Sequence, residues 1–180
     1  MMLEPVAFRL LDRRMTYVRH LTTMQTPIGS IIITGDDDTI HGIRISVEWD
    51  DAVVAIGTAN SPVMQAAAQL RSYFDGDLRV FDLPLVPMPS VRGEALRAAI
   101  ASIPYGETMS YGALAKAHDS GARAVGGACR RNPYPIIIPC HRVTSSNGAP
   151  ENYSGGDGPR TKAWLNAHEA RHAGTSNLLI

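Results

Sequence analysis

Cysteine is scarce: only two of the 180 residues, Cys129 and Cys140, eleven positions apart. Two thiols make no disulfide framework, which excludes the stapled mini-domain class and points to a reducing cytoplasm. A Cys129–Cys140 bridge is the lesser alternative. Long apolar runs are missing too; none approaches the roughly 20 residues needed to cross a bilayer. The first residues lack the apolar core and cleavage site of a secretory signal. Excess charge of either sign is also absent, with 17 Lys and Arg against 17 Asp and Glu.

That balance conceals a split. Residues 1–91 carry 7 basic and 11 acidic side chains, and residues 92–180 carry 10 and 6. Arg123, Arg130, Arg131 and Arg142 fall close together in the basic half, the pattern of a nucleic-acid face or of solvated surface arginines. The hydrophobic share of 44% is ordinary for a globular chain, and the length suits one domain or two small ones.

The first half reads as strands at Met15–His20, Ser30–Thr34 and Thr39–Ser46, with Gly35 to Asp38 as a hairpin turn. Three successive Asp in that turn read as solvated rather than metal-binding. Ser61-Pro62 opens a helix that runs to Phe74 and stops at Asp75-Gly76. No chemistry is legible here. Pro84 to Pro89 reads as a linker, which divides the chain into an acidic, structural N-terminal α/β domain (1–88) and a C-terminal domain (89–180).

Beyond the linker, helical composition covers Val91–Ser102. A helix over Ser110–Ala117, a tight Asp119-Ser120-Gly121 connection and a helix over Ala122–Arg131 make a helix-turn-helix pattern. The second helix is rich in small residues: Ala122, Ala124, Gly126, Gly127 and Ala128. Two adjacent glycines cost a helix roughly 1 kcal/mol each relative to Ala. Close approach of a backbone, to a packed neighbour or to a nucleic-acid groove, would offset that cost. A last helix begins near Pro159.

Asn132 to Val143 carries the chemistry. Its three isoleucines read as a short buried strand that ends at Pro139 and holds Cys140 rigidly. A thiol is a useful nucleophile as thiolate, and the adjacent His141 can take its proton. The expected fold is therefore α/β (α+β). A small antiparallel sheet with a helix comes first, then a mostly helical domain with a helix-turn-helix and the active-site Cys after a short strand.

Arg123-Ala124-Val125-Gly126-Gly127-Ala128, Asn132-Pro133, Pro139-Cys140-His141-Arg142-Val143 and Tyr153-Ser154-Gly155-Gly156 together resemble the O6-alkylguanine-DNA alkyltransferase family. The likeness spans roughly Ile103 to Glu169, and Thr26-Pro27-Ile28-Gly29 extends it into the first half. The resemblance implies direct transfer of an alkyl group from O6 of guanine to Cys140. His141 would be the base acting through a water, Glu169 its orienting partner, Asn132 the brace of the loops and Tyr111 the donor to the leaving guanine. It implies that the base is flipped out of the duplex. Arg123 would fill its place, and Ala122, Ala124, Gly126, Gly127 and Arg130 would lie along the minor groove. The base pocket would comprise Val143, Tyr153 and Ser154, with main-chain groups at Cys140 and Val143 and the Ser154 amide reading the guanine edge. Double-stranded DNA carrying O6-alkylguanine is the implied partner, with O4-alkylthymine as a second substrate. No cofactor, metal, membrane or obligate protein partner is implied, and the protein would act once, as a monomer. The stretch Ser90 to Arg97 departs from the family in lacking its aromatic residues.

Other readings compete. His168-Glu169-Ala170-Arg171-His172 fits the zinc-protease pattern, but no downstream His, Asp, Glu or Cys supplies a third ligand. A Cys-His hydrolase would need an oxyanion hole and an acyl cleft. A protein that binds alkylated DNA with little transfer activity is the third alternative.

Overall fold

The structure is a computed structural model and describes residues 20–47, 55–149 and 152–174. Strands β1 (His20–Thr26), β2 (Gly29–Gly35), β3 (Ile40–Ser46) and β4 (Ala55–Ile56) form an antiparallel sheet in the order β3-β2-β1-β4. Most of the expected Met15–His20 strand lies outside the described residues; the observed β1 starts where it was expected to end. The Pro27-Ile28 turn joins β1 to β2. Thr26 Oγ1 donates to the Gly29 carbonyl (2.6 Å) and accepts from Ile28 N–H (3.3 Å). Gly29 is required there: its φ is +107°, and a Cβ would stand 2.2 Å from the Ser46 carbonyl oxygen. At the next turn Asp36 spends its carboxylate on the N–H groups of Asp38 and Thr39, as a solvated turn does.

Helix α1 (Pro62–Asp75) buries Val63, Ala66, Ala67, Leu70 and Tyr73, a spacing that lines one helical face. Burying a side chain such as Leu70 contributes about 1.5–3 kcal/mol. Ser61 stands at the N-cap position without making a side-chain cap, Pro62 fits the first turn, and Gly76 ends the helix in the left-handed conformation.

The second half holds α2 (Val91–Ala101), β5 (Met109–Ser110), α3 (Tyr111–Ala117), α4 (Ala122–Arg130), β6 (Val143–Thr144) and α5 (Pro159–Ala173). Ser110 caps α3 by accepting from Ala113 N–H (3.1 Å). α2 packs through Leu96, Ala99 and Ile100. The fold class is α/β, with an antiparallel sheet first and helices after it.

The outer edge of β3 is sealed by the linker and the second half. Ile40 N–H donates to the Pro84 carbonyl (2.8 Å) and Ile43 N–H to that of Pro133 (2.8 Å), while the Ile45 carbonyl accepts from Gly156 N–H (3.3 Å). Tyr134, fully buried, donates its hydroxyl to the Ile40 carbonyl (2.9 Å). Buried side chains of both halves form one hydrophobic cluster, from Ile31 and Leu70 to Val125 and Leu165.

One local expectation is corrected. Ile136 to Ile138 are buried, but they make a turn and not a strand. Pro135 and Pro139 flank the run and cannot donate to a ladder, and its pairing is internal, between Pro135 and Ile138. Ile136 has a φ of +76°, a rare conformation for a β-branched residue that costs on the order of 1–3 kcal/mol. The short strand follows Cys140 instead: β6 pairs in parallel with β5.

Candidate active site

Asn132 holds the strained turn in place. Its Nδ2 donates to the Ile138 carbonyl (2.8 Å) and to Cys140 Sγ (3.2 Å), and its Oδ1 accepts from Tyr134 N–H (3.0 Å). Cys140 then opens a single 3-10 turn, Cys140–Arg142. Burial pushes its thiol above the usual range, opposed by the Asn132 hydrogen bond and the Lys162 ammonium. The resting sulfur is a protonated thiol that needs a base. Burial also pushes Cys129 up, to about 12, and both cysteines are free.

His141 and Glu169 meet in the core, with His141 Nε2 2.7 Å from Glu169 Oε1. Glu169 Oε1 also accepts from Arg142 Nη2 (3.0 Å) and the Tyr73 hydroxyl (2.9 Å). Its Oε2 accepts from Arg142 Nε (2.8 Å) and Gly106 N–H (3.1 Å). Burial alone would raise the Glu169 pKa; His141 and the Arg142 guanidinium outweigh it and hold the carboxyl at about 2. Of those two, Arg142 is the permanent charge. An ionised carboxylate only accepts, so Nε2 carries the imidazole proton and Nδ1 keeps its lone pair. Nδ1 is buried and makes no hydrogen bond to the described residues. Burial depresses the His141 pKa, with Arg142 and Lys162 acting the same way against Glu169. The ring is therefore neutral at pH 7 and free to accept a proton.

The β5–β6 pairing sets Met109 against Val143 and Ser110 against Thr144, which fixes Tyr111, the next residue, at the start of α3. Lys162 of α5 is fully buried, donates to the Val143 carbonyl (2.6 Å) and lies 5.5 Å from the Tyr111 ring centre. Val143, expected to read the base, is thus buried with its carbonyl engaged by Lys162.

A cleft of about 740 Å³ is lined by Tyr111, Ala122, Arg123, Gly126, Gly127, Arg130, Asn152, Tyr153 and Ser154. Tyr153 links cleft and thiol. Its ring lines the cleft, and its buried hydroxyl has no partner among the described residues. Burial raises its pKa, and so do the nearby Cys140 and Glu169. The glycine face of α4 is open. A Cβ at Gly126 would meet nothing within 4 Å, and the nearest atoms to one at Gly127 would be those of the Arg131 guanidinium, at 3.1 Å and beyond. Internal packing therefore does not account for these glycines, whereas Val125 and Cys129 bury the opposite face. Ala124 stands apart from the cleft and packs against the core.

Arg142, counted among the basic-face arginines, is buried instead; it grips Glu169 and the Ile103 carbonyl (2.7 Å). Arg123, Arg130 and Arg131 are exposed. His168 Nε2 donates to the Tyr73 carbonyl (2.9 Å) and His172 Nδ1 to the His168 carbonyl (2.8 Å), so both histidines of the zinc-protease pattern serve packing. Sequence reasoning missed Arg142, Lys162 and Tyr73 as parts of the site. A charge inside an otherwise buried run, as in Pro139-Cys140-His141-Arg142-Val143, was the available signal for Arg142.

The site thus combines a buried thiol, a bonded His141–Glu169 pair that follows it in the chain, and a helix whose open glycine face carries the exposed Arg123 and Arg130. The family model described as 6-O-methylguanine DNA methyltransferase, DNA binding domain, matches residues 93–171, and its ribonuclease-like domain matches residues 20–87. The chain belongs to the 6-O-methylguanine DNA methyltransferase family. It is 35% identical to the methylated-DNA–protein-cysteine methyltransferase of Homo sapiens, with 87% of this chain and 83% of that one covered. The constitutive enzyme of that name in Bacillus subtilis (strain 168) is 37% identical, with coverages of 77% and 88%. The crystal structure of the Mycobacterium tuberculosis O6-methylguanine methyltransferase superposes with a TM-score of 0.71 at 31% identity, covering 87% of this chain and 95% of that one. The M. tuberculosis OGT in complex with DNA gives 0.69 at 31% identity, with coverages of 84% and 93%.

Proposed function

We propose that this protein repairs DNA by moving the alkyl group of O6-alkylguanine onto its own Cys140. The single observation that carries the reading is the 2.7 Å contact of His141 Nε2 with the buried Glu169 carboxylate, next in the chain to the buried Cys140 thiol. His141 Nδ1 takes the thiol proton through a water, and the sulfur attacks the alkyl carbon. An S–C bond forms, the C–O6 bond breaks, and Tyr111 supplies a proton to the departing guanine. The product is a thioether, which has no leaving thiol to regenerate the protein, so each molecule acts once.

The substrate base is flipped out of duplex DNA, because O6 is inaccessible in the stack. Arg123 occupies the vacated position, and Ala122, Gly126, Gly127 and Arg130 follow the minor groove, with Ala124 supporting the helix. Tyr153, Ser154 and the main chain at Cys140 and Val143 hold the guanine; O4-alkylthymine is a second substrate. Residues 1–88 and 89–180 act as two domains of one cytoplasmic monomer. Among the described residues no helix is long and apolar enough to cross a membrane.

Incubation with duplex DNA containing O6-methylguanine should add one methylene equivalent to the intact mass, mapped by peptide analysis to Cys140. Protein that binds this DNA yet stays unmodified, or carries the label on Cys129, overturns the reading.

A further inference from the structure

Tyr73 reaches the site from α1, in the half of the chain that carries no legible chemistry. It is fully buried, and its hydroxyl donates to Glu169 Oε1 (2.9 Å), the same oxygen that holds His141 Nε2 (2.7 Å). Its carbonyl accepts from His168 Nε2 (2.9 Å), the residue before Glu169. One residue of α1 thus bonds two successive residues of α5. The ring is fixed edge-on by Phe74 (5.3 Å, 81°) and Tyr105 (6.0 Å, 80°). At the end of α1, a Cβ on Gly76 would stand 2.2 Å from the His172 ring, so the two helices meet closely. A phenylalanine would meet every packing need at position 73; the hydroxyl serves Glu169.

We infer that Tyr73 is a positioning residue for the transfer reaction: its hydroxyl, supplied by the N-terminal half, sets the direction and the pull of the Glu169 oxygen on which His141 depends. This rests on the reading of Cys140 and His141 as nucleophile and base. Each donor draws charge from the carboxylate and loosens its hold on the His141 proton. The groups facing this pair are Arg142 of the 3-10 turn, Lys162 and His168 of α5, Tyr105 and Gly106 of the turn before β5, and Tyr153 of the cleft. Of the described residues outside the second half, Tyr73 is the one that donates a hydrogen bond to Glu169.

The test is Tyr73→Phe, read by single-turnover alkyl transfer against pH and by NMR titration of the His141 ring without DNA. Losing the donor should raise the His141 pKa and move the acid limb of the rate profile up by about half a pH unit. Duplex affinity should stay unchanged. Site-specific 3-fluorotyrosine at position 73, a stronger donor of nearly the same shape, should move both readouts the other way, and it serves if the Phe variant does not fold. Titrations that superimpose on the parent for both Tyr73 variants overturn the inference. A parent protein that takes no alkyl group overturns the proposed function instead, while the DNA-free titration still reads Tyr73.

Discussion

Arg142 grips Glu169 with two parallel hydrogen bonds, Nε to Oε2 at 2.8 Å and Nη2 to Oε1 at 3.0 Å, and both residues are buried. The pair fixes the charge state of the carboxylate, and through it the tautomer of His141. Arg142→Ala should therefore lower stability by about 3–5 kcal/mol, because it leaves a buried carboxylate without its counter-charge. Urea unfolding of variant and parent measures this, and a loss no larger than that of an exposed pair would contradict it.

The open glycine face of α4 separates folding from binding. Gly126→Leu places a good helix former where a Cβ would meet nothing within 4 Å, so the fold should gain roughly 0.5–1 kcal/mol. The same side chain would keep the helix away from a groove. Duplex affinity should fall by about tenfold, or about 1.4 kcal/mol. Thermal melts and fluorescence anisotropy give the two numbers, and unchanged affinity would place DNA elsewhere.

Arg123 lines the cleft at the first turn of α4 and is exposed. Arg123→Ala should slow repair of duplex substrate on the order of 10- to 100-fold, since unstacking a base costs a few kcal/mol. Reaction with free O6-benzylguanine, which needs no flipping, should be nearly unaffected. Equal losses on both substrates would give Arg123 a role in the pocket or the fold.

His141→Ala should slow transfer at pH 7 by about 100-fold or more, the usual worth of a positioned base. The sign of the pH dependence follows from the depressed His141 pKa. The parent ring is already neutral at pH 7, so the parent rate should be flat above neutrality. It should fall only in acid, below the ordinary histidine value of about 6.5. The variant should instead recover as pH rises, because hydroxide then ionises a thiol whose pKa burial has raised. A variant equally fast at pH 7 would make the Cys140–His141 adjacency structural.

Local rules made much of this protein legible. Strand signals marked β2 and β3, Ser61-Pro62 and Gly76 bounded α1, and Ser110 marked the start of α3. Asn132 bonds Cys140, and His141 bonds Glu169. What local rules missed depends on distant partners. The Ile136–Ile138 run carries strand propensity, but its pairing is internal and Asn132 holds the Ile138 carbonyl in the turn. Tyr73 lies 96 positions from Glu169, and no spacing rule connects them. Glycines at 126 and 127 fit packing and groove binding equally well in sequence; the empty space around Gly126 speaks against packing.

The sealed edge of β3 bears on how the molecule comes apart. Its donors and acceptors are spent on Pro84, Pro133 and Gly156, and Tyr134 is anchored on Ile40. Were the halves to part, β3 would bare a row of unpaired amides and carbonyls, a template for pairing with other chains. Opening one half therefore disrupts the other, and the chain should melt in a single cooperative step. The linker of Pro84 to Pro89 is then a seam rather than a hinge: it joins two pieces of sequence that share one unfolding transition.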